Sequence, residues 1–188
     1  YPIFLAEVAS TVNESLLMQH LLQNTKDKKT RAYLINHFME QFRGTLFRQT
    51  MFAEFEKLTH EMLENGEPIT ADSLSSTYRD LNIKYYGPHM VVDSEIDFEW
   101  ARIPHFYNAF YVYKYATGYS AAIALSHRIL KKEAGALDDY MTFLKSGSSE
   151  YPIRILEKAG VNMNTPEPIR KALKVFEELL IEMEKMQE

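Results

Sequence analysis

The spacing of apolar and polar positions is helical along almost the whole chain. From Phe4 to Leu17 the apolar residues Leu5, Val8, Val12 and Leu16 recur at helical spacing. This predicts a first helix over residues 3–23, closed by Asn24-Thr25-Lys26-Asp27. Glu7, Ser10 and Glu14 stand at i, i+3 and i+7, so the helix stacks them on one face that continues into Met18 and Leu21. A helix apolar nearly all round is a buried one. Both carboxylates are therefore expected to point into protein, where they must be paired, hydrogen-bonded, metal-bound or protonated.

A second long pattern runs from Lys28 to Asn65, with Leu34, Phe38, Phe42, Leu46, Met51, Phe55, Leu58 and Met62 as its stripe and a kink expected at Gly44. Asn65-Gly66 and Pro68 end it. Thr70 reads as the N-cap of a helix from Ala71 to Tyr85, with Asp72 in its first turn. Residues 90–104 read as an irregular connection with a short extended piece near Glu95 to Trp100, and a loop of this length is a functional signal. Tyr107, Tyr111, Tyr113 and Tyr115 fit a period of two, but the small residues that follow (Ala116, Gly118, Ser120, Ala121, Ala122, Ala124) argue for a closely packed helix over 106–134. Short helices follow at Leu137–Leu144 and Pro152–Lys158. Thr165 reads as the cap, with Pro166 at the first position, of a last helix with the stripe Ile169, Leu173, Phe176, Leu180 and Met183. The fold class is all-α, with roughly five to seven helices.

Composition narrows the function classes. At 188 residues the chain is one domain or part of a larger one, and its 46% apolar content is ample for a core. A net charge of −5 without a basic block argues against a nucleic-acid partner. There is no cysteine, which removes disulfides and thiolate metal sites and fits a cytoplasmic location. No apolar run approaches the ~20 residues that span a bilayer, and no signal peptide is visible. The first residue is Tyr1, not Met, so the chain is expected to begin inside a longer protein.

Three carboxylate patterns bear on chemistry. His60-Glu61-Met62-Leu63-Glu64 is a near miss to HExxH, with Glu where the second His belongs. Glu56, His60 and Glu64 share a helix face at i, i+4 spacing, a triplet common on solvated faces. A carboxylate-bridged metal bundle needs Glu-x-x-His pairs on two helices, and none occurs. On residue pattern alone, Glu7 and Glu14 are more often structural than metal ligands. A non-catalytic helical interaction module with structural carboxylates is therefore one reading.

Residue identity supports another. The run FLAEVASTVNESLL resembles the segment after the HExxH helix in oligoendopeptidase F, a zinc metallopeptidase family related to thimet oligopeptidase. RIPHFY…FYVYKYATG resembles the segment of that family that closes over substrate, and FLKSGSSEYPIRILEKAGVNMNTPEPIRKALKVFEELL resembles its C-terminal end. The similarity extends from Phe4 to about Leu180.

The resemblance implies that Glu7 is the third zinc ligand and Glu14 its supporting partner. It implies that His105, with Tyr107 and Tyr113, faces the peptide and stabilises the oxyanion. Tyr113 is the safer match, because the loop after His105 is shorter here than in the thimet relatives. Enzymes of this kind hold zinc with two His and one carboxylate and leave a fourth position to the attacking water. No HExxH occurs in this sequence, so the motif is expected upstream of Tyr1.

Residues 1–188 then form the C-terminal part of one catalytic domain. It comprises a third-ligand helix (3–23), a substrate-facing segment (100–119) and packing helices (136–187). The implied partners are an oligopeptide substrate and the N-terminal part of the same enzyme, with self-association plausible through the surface that part would cover. Alone, the chain is expected to be inactive and to hold zinc weakly or not at all. The peptidase reading requires Glu7, His105 and Tyr113 to gather on one concave patch, which an interaction module has no reason to do.

Overall fold

A computed structural model describes residues 2–187. Its helices are α1 (Val8–Asn24), α2 (Lys28–Phe42), α3 (Arg48–Glu64), α4 (Ala71–Tyr86), α5 (Tyr113–Leu130), α6 (Ala136–Ser146), α7 (Pro152–Lys158) and α8 (Glu167–Gln187). There is no strand among the described residues, so the chain is all-α, with one helix more than the upper expectation. The chain folds as two compact units, Tyr1–Leu46 with Lys114–Glu188, and Phe47–Tyr113.

In the first unit, the small residues of α5 let α1 lie close against it. A Cβ on Gly118 would stand 3.7 Å from Val8 Cγ2. Val8, Val12, Ala121, Leu125, Phe143 and Leu156 form one buried cluster, and burial of such side chains is the main stabilising term, about 1.5–3 kcal/mol for each large one. Ser15 and Ser126 share a hydrogen bond of 2.9 Å inside this packing, so neither hydroxyl is orphaned. The first turn of the expected helix is a separate 3-10 segment, Ile3–Leu5, and α1 itself begins at Val8.

The last helix rotates from its expected face. Pro168, Ala172, Val175 and Leu179 are its buried row, whereas Ile169, Leu173 and Leu180 are 37–41% exposed on the flank. Its apolar arc is wide, and the packing centre falls on the line of smaller residues between two rows of large ones. Phe176 reaches Phe42 of α2 with ring centroids 5.5 Å apart. Thr165 is not the cap: its hydroxyl donates to Asn162 O at 3.0 Å, and the first helical bond runs from Arg170 N–H to Pro166 O.

The second unit pairs α3 with α4. Gly66 takes the left-handed conformation (φ 75°) that ends α3, with Glu67 N–H bonded to Met62 O at 2.9 Å. Thr70 caps α4 as expected, in a reciprocal pair with Ser73 (3.1 and 2.9 Å). Phe52, Phe55, Tyr78 and Phe106 pack ring on ring, with centroids 5.1–6.3 Å apart.

The expected extended piece near Glu95 to Trp100 is instead a 3-10 segment, Ser94–Arg102, laid on α4. Polar anchors fix it there. Arg79 bridges Asp97 at 3.1 Å, and Trp100 Nε1–H donates to Ser75 Oγ at 3.1 Å. The expected helix over 106–134 is shorter at both ends. Pro104–Tyr107 is a 3-10 turn, Phe110 has φ 59°, and regular helix holds only from Tyr113 to Leu130. A non-glycine residue at positive φ cannot continue an α-helix.

Candidate functional site

In the first unit, Glu7 is the N-terminal boundary residue of α1 and Glu14 lies two turns on. Both are exposed, which corrects the expectation of burial. The inward row of α1 is Val8, Val12, Ser15, Met18 and Leu22. The row of Glu7, Ser10, Glu14, Leu17 and Leu21 is the adjoining face, all of it exposed, including Leu17 at 59%. The helix was read as apolar all round because that exposed row carries leucines.

Among the described residues no ion pair engages either carboxylate, so Glu7 remains a free oxygen donor. Beneath Glu14 lies Tyr119, only 5% exposed, whose hydroxyl has no hydrogen-bond partner among the described residues. Burial, and then the Glu14 charge, push its phenol far above the ordinary value, so it stays protonated. Tyr119 was missed in the sequence, where it stands among the small residues Gly118, Ser120 and Ala121 and outside the period-two run of tyrosines.

In the second unit, His105 and Tyr107 share the 3-10 turn Pro104–Tyr107. His105 is half-buried, its ring 5.7 Å from that of Tyr111. Tyr107 is 82% exposed, with its hydroxyl donating to Ala101 O at 3.3 Å. Beside it opens a cleft of about 270 Å³ walled by Phe55, Leu63, Ile69, Trp100 and Phe106. Tyr113, 40% exposed, is the first residue of α5. The carboxylate pair thus belongs to one unit and the His–Tyr group to the other.

The near-HExxH face does not form a metal site. Glu56 is buried and Glu64 exposed. His60 Nδ1–H donates to the Glu56 carbonyl oxygen at 2.7 Å, as a carbonyl can only accept. Glu56 Oε1 accepts from the Phe110 N–H at 2.9 Å. Burial pushes its carboxyl above the ordinary carboxylate range, and the Phe110 amide, His60 and His105 reverse this only in part. Its place one turn after Phe52 and next to Phe55, on the inward face of α3, was the available sequence signal.

No group of three or more His, Cys, Asp or Glu among the described residues could hold a metal. Glu7 fits a zinc site only as a single oxygen ligand, to be completed by others. No helix among the described residues is long and apolar enough to cross a membrane.

Comparison with known proteins covers nearly the whole chain. The model of "Peptidase family M3" matches residues 1–175. Oligopeptidase PepF of Bacillus subtilis (strain 168) is 60% identical over 186 residues, covering 99% of this chain and 28% of that protein. The chromosomal oligoendopeptidase F of Lactococcus lactis subsp. cremoris is 48% identical over 188 residues, covering 100% of this chain and 31% of that protein. The crystal structure of oligoendopeptidase-F from Enterococcus faecium superposes with a TM-score of 0.95 at 50% identity, covering 99% of this chain and 36% of that one. The chain therefore spans between 28% and 36% of the length of these relatives.

Proposed function

Because the chain belongs to peptidase family M3, we propose that it is the C-terminal part of the catalytic domain of a cytoplasmic zinc oligoendopeptidase. The carrying observation is the 60% identity to an oligopeptidase over 99% of the chain. In the complete enzyme the zinc would activate water for attack on a peptide carbonyl. Glu7 would contribute one carboxylate oxygen to that metal from the head of α1. Glu14 would support it along the same face, the kind of outer partner that changes metal affinity ~10–100-fold.

His105 and Tyr113 would donate hydrogen bonds to the carbonyl oxygen as charge develops on it, and Tyr107 would line the peptide's path. The cleft beside Tyr107 would receive an apolar side chain of the substrate. The N-terminal part of the same enzyme would cover the exposed Leu17 and Leu21, which in the isolated chain favour self-association.

Without HExxH this polypeptide has neither the paired imidazoles nor the general base. The isolated chain is therefore expected to give no chelator-sensitive turnover of an internally quenched oligopeptide with added zinc. Turnover that a chelator abolishes would contradict this reading.

A further inference from the structure

The loop from His105 to Val112 is not held by regular secondary structure after Tyr107. At its centre Phe110 has φ 59°, a strained conformation for a bulky side chain. Such a residue persists only where its surroundings over-determine it.

Those surroundings are supplied by α3. The Phe110 amide donates to Glu56 Oε1 at 2.9 Å, and the Phe110 ring lies 4.6 Å, centroid to centroid, from the His60 ring. His60 is oriented by its own bond to the Glu56 carbonyl oxygen at 2.7 Å. Glu56 thus grips Phe110 directly through its side chain and indirectly through His60. A carboxylate 3% exposed on a helix face otherwise built of Met51, Phe52 and Phe55 is costly. Packing alone would be served better by an apolar residue.

We propose that Glu56 is a positioning residue of the peptidase site: its carboxylate latches the Phe110 amide and so fixes the loop that presents His105 and Tyr107 to substrate. The role of that loop rests on the functional reading above; the latch itself does not. Glu56 touches neither substrate nor metal in this account and acts only through the loop.

The test uses the full-length enzyme and two readouts. Hydrogen exchange followed by mass spectrometry reports the amides of residues 106–112. Steady-state kinetics on an internally quenched oligopeptide reports kcat and KM, with zinc measured in parallel. Glu56→Ala removes the acceptor and Glu56→Asp withdraws it by one methylene, whereas Glu56→Gln keeps a carbonyl oxygen in reach.

Glu56→Ala is expected to speed exchange in 106–112 and to lower kcat/KM by about tenfold or more each, the factor carried by one hydrogen bond to a charged acceptor. Zinc content should be unchanged. Glu56→Asp should follow Glu56→Ala, and Glu56→Gln should stay within about threefold of wild type, since it keeps a neutral bond. If Glu56→Ala does not fold, Glu56→Asp decides. Unchanged loop exchange in the folded variant overturns the latch, and faster exchange with wild-type kcat/KM overturns its service to the site. A wild-type enzyme inactive on every oligopeptide would refute the functional reading instead, leaving the exchange result to judge the latch.

Discussion

Tyr78→Phe removes one oxygen atom at a point where its role can be worked out. Tyr78 is fully buried, and its hydroxyl donates to Glu99 Oε2 at 2.6 Å. Glu99 Oε1 accepts from Arg48 at 2.6 Å and also bonds Arg102. This carboxylate pins the Ser94–Arg102 segment, which runs directly into the turn bearing His105.

A hydrogen bond to an ionised acceptor contributes about 1.5–3 kcal/mol, and Phe fills nearly the same volume without opening a cavity. For a chain of this size each kcal/mol shifts Tm by about 2–4 °C, so a fall of roughly 3–12 °C is expected.

The pH dependence has a definite sign. Burial raises the Glu99 carboxyl, but the bonds from Tyr78 and Arg48 and the charges of Arg48 and Arg102 outweigh it and hold the group below its ordinary range. A depressed carboxyl adds stability above its unfolded value of about 4.3 and loses it as pH falls through the folded value. Removing the Tyr78 hydroxyl weakens the depression, so the penalty should be largest at neutral pH and shrink in acid. Urea denaturation followed by circular dichroism at pH 7 and at low pH measures both. A penalty under about 0.5 kcal/mol at neutral pH, or one that grows in acid, would refute the reasoning.

Three further outcomes are expected. Thr70→Ala should cost about 1 kcal/mol by removing the α4 cap, seen as faster amide exchange in the first turn of α4. Gly160→Ala forces a Cβ onto a backbone at φ +80° and against the Arg128 guanidinium, which bonds Ala159 O and Asp139. Thermal melting should show a loss of about 1–3 kcal/mol. In the full-length enzyme, Tyr113→Phe should lower kcat by about 10²-fold with zinc content intact, the usual effect of losing one oxyanion donor. A wild-type rate would remove Tyr113 from that role.

The sequence made the helices legible wherever caps and period agreed. Thr70 as the cap of α4, and Asn65-Gly66 as the end of α3, are local signals and were read correctly. What failed was decided by tertiary context. Ser94–Arg102 carries no helical stripe because ion pairs and the Trp100–Ser75 bond set its course. The start of α5 was misplaced because tyrosine spacing does not record the positive φ of Phe110.

In α1 the row of Glu7 and Glu14 includes Leu17 and Leu21, so periodicity could not tell the inward face from the adjoining one. The candidate site was legible only through residue identity: an exposed Glu at a helix head is chemically anonymous, whereas its place in the Glu7-Val8-Ala9-Ser10 run is not. Glu56 was visible, but only as one corner of a metal triplet. Its partner, the Phe110 amide, is 54 residues away and backbone, so no side-chain pattern could announce it.

The central claim is that the Glu7 carboxylate is a zinc ligand. The direct measurement is the zinc content of the full-length enzyme carrying Glu7→Ala, by atomic absorption after dialysis, beside the wild type. Wild type should retain about one zinc per chain and the variant almost none, since a site of three protein ligands loses one. A folded Glu7→Ala enzyme that keeps its full zinc complement would contradict the account.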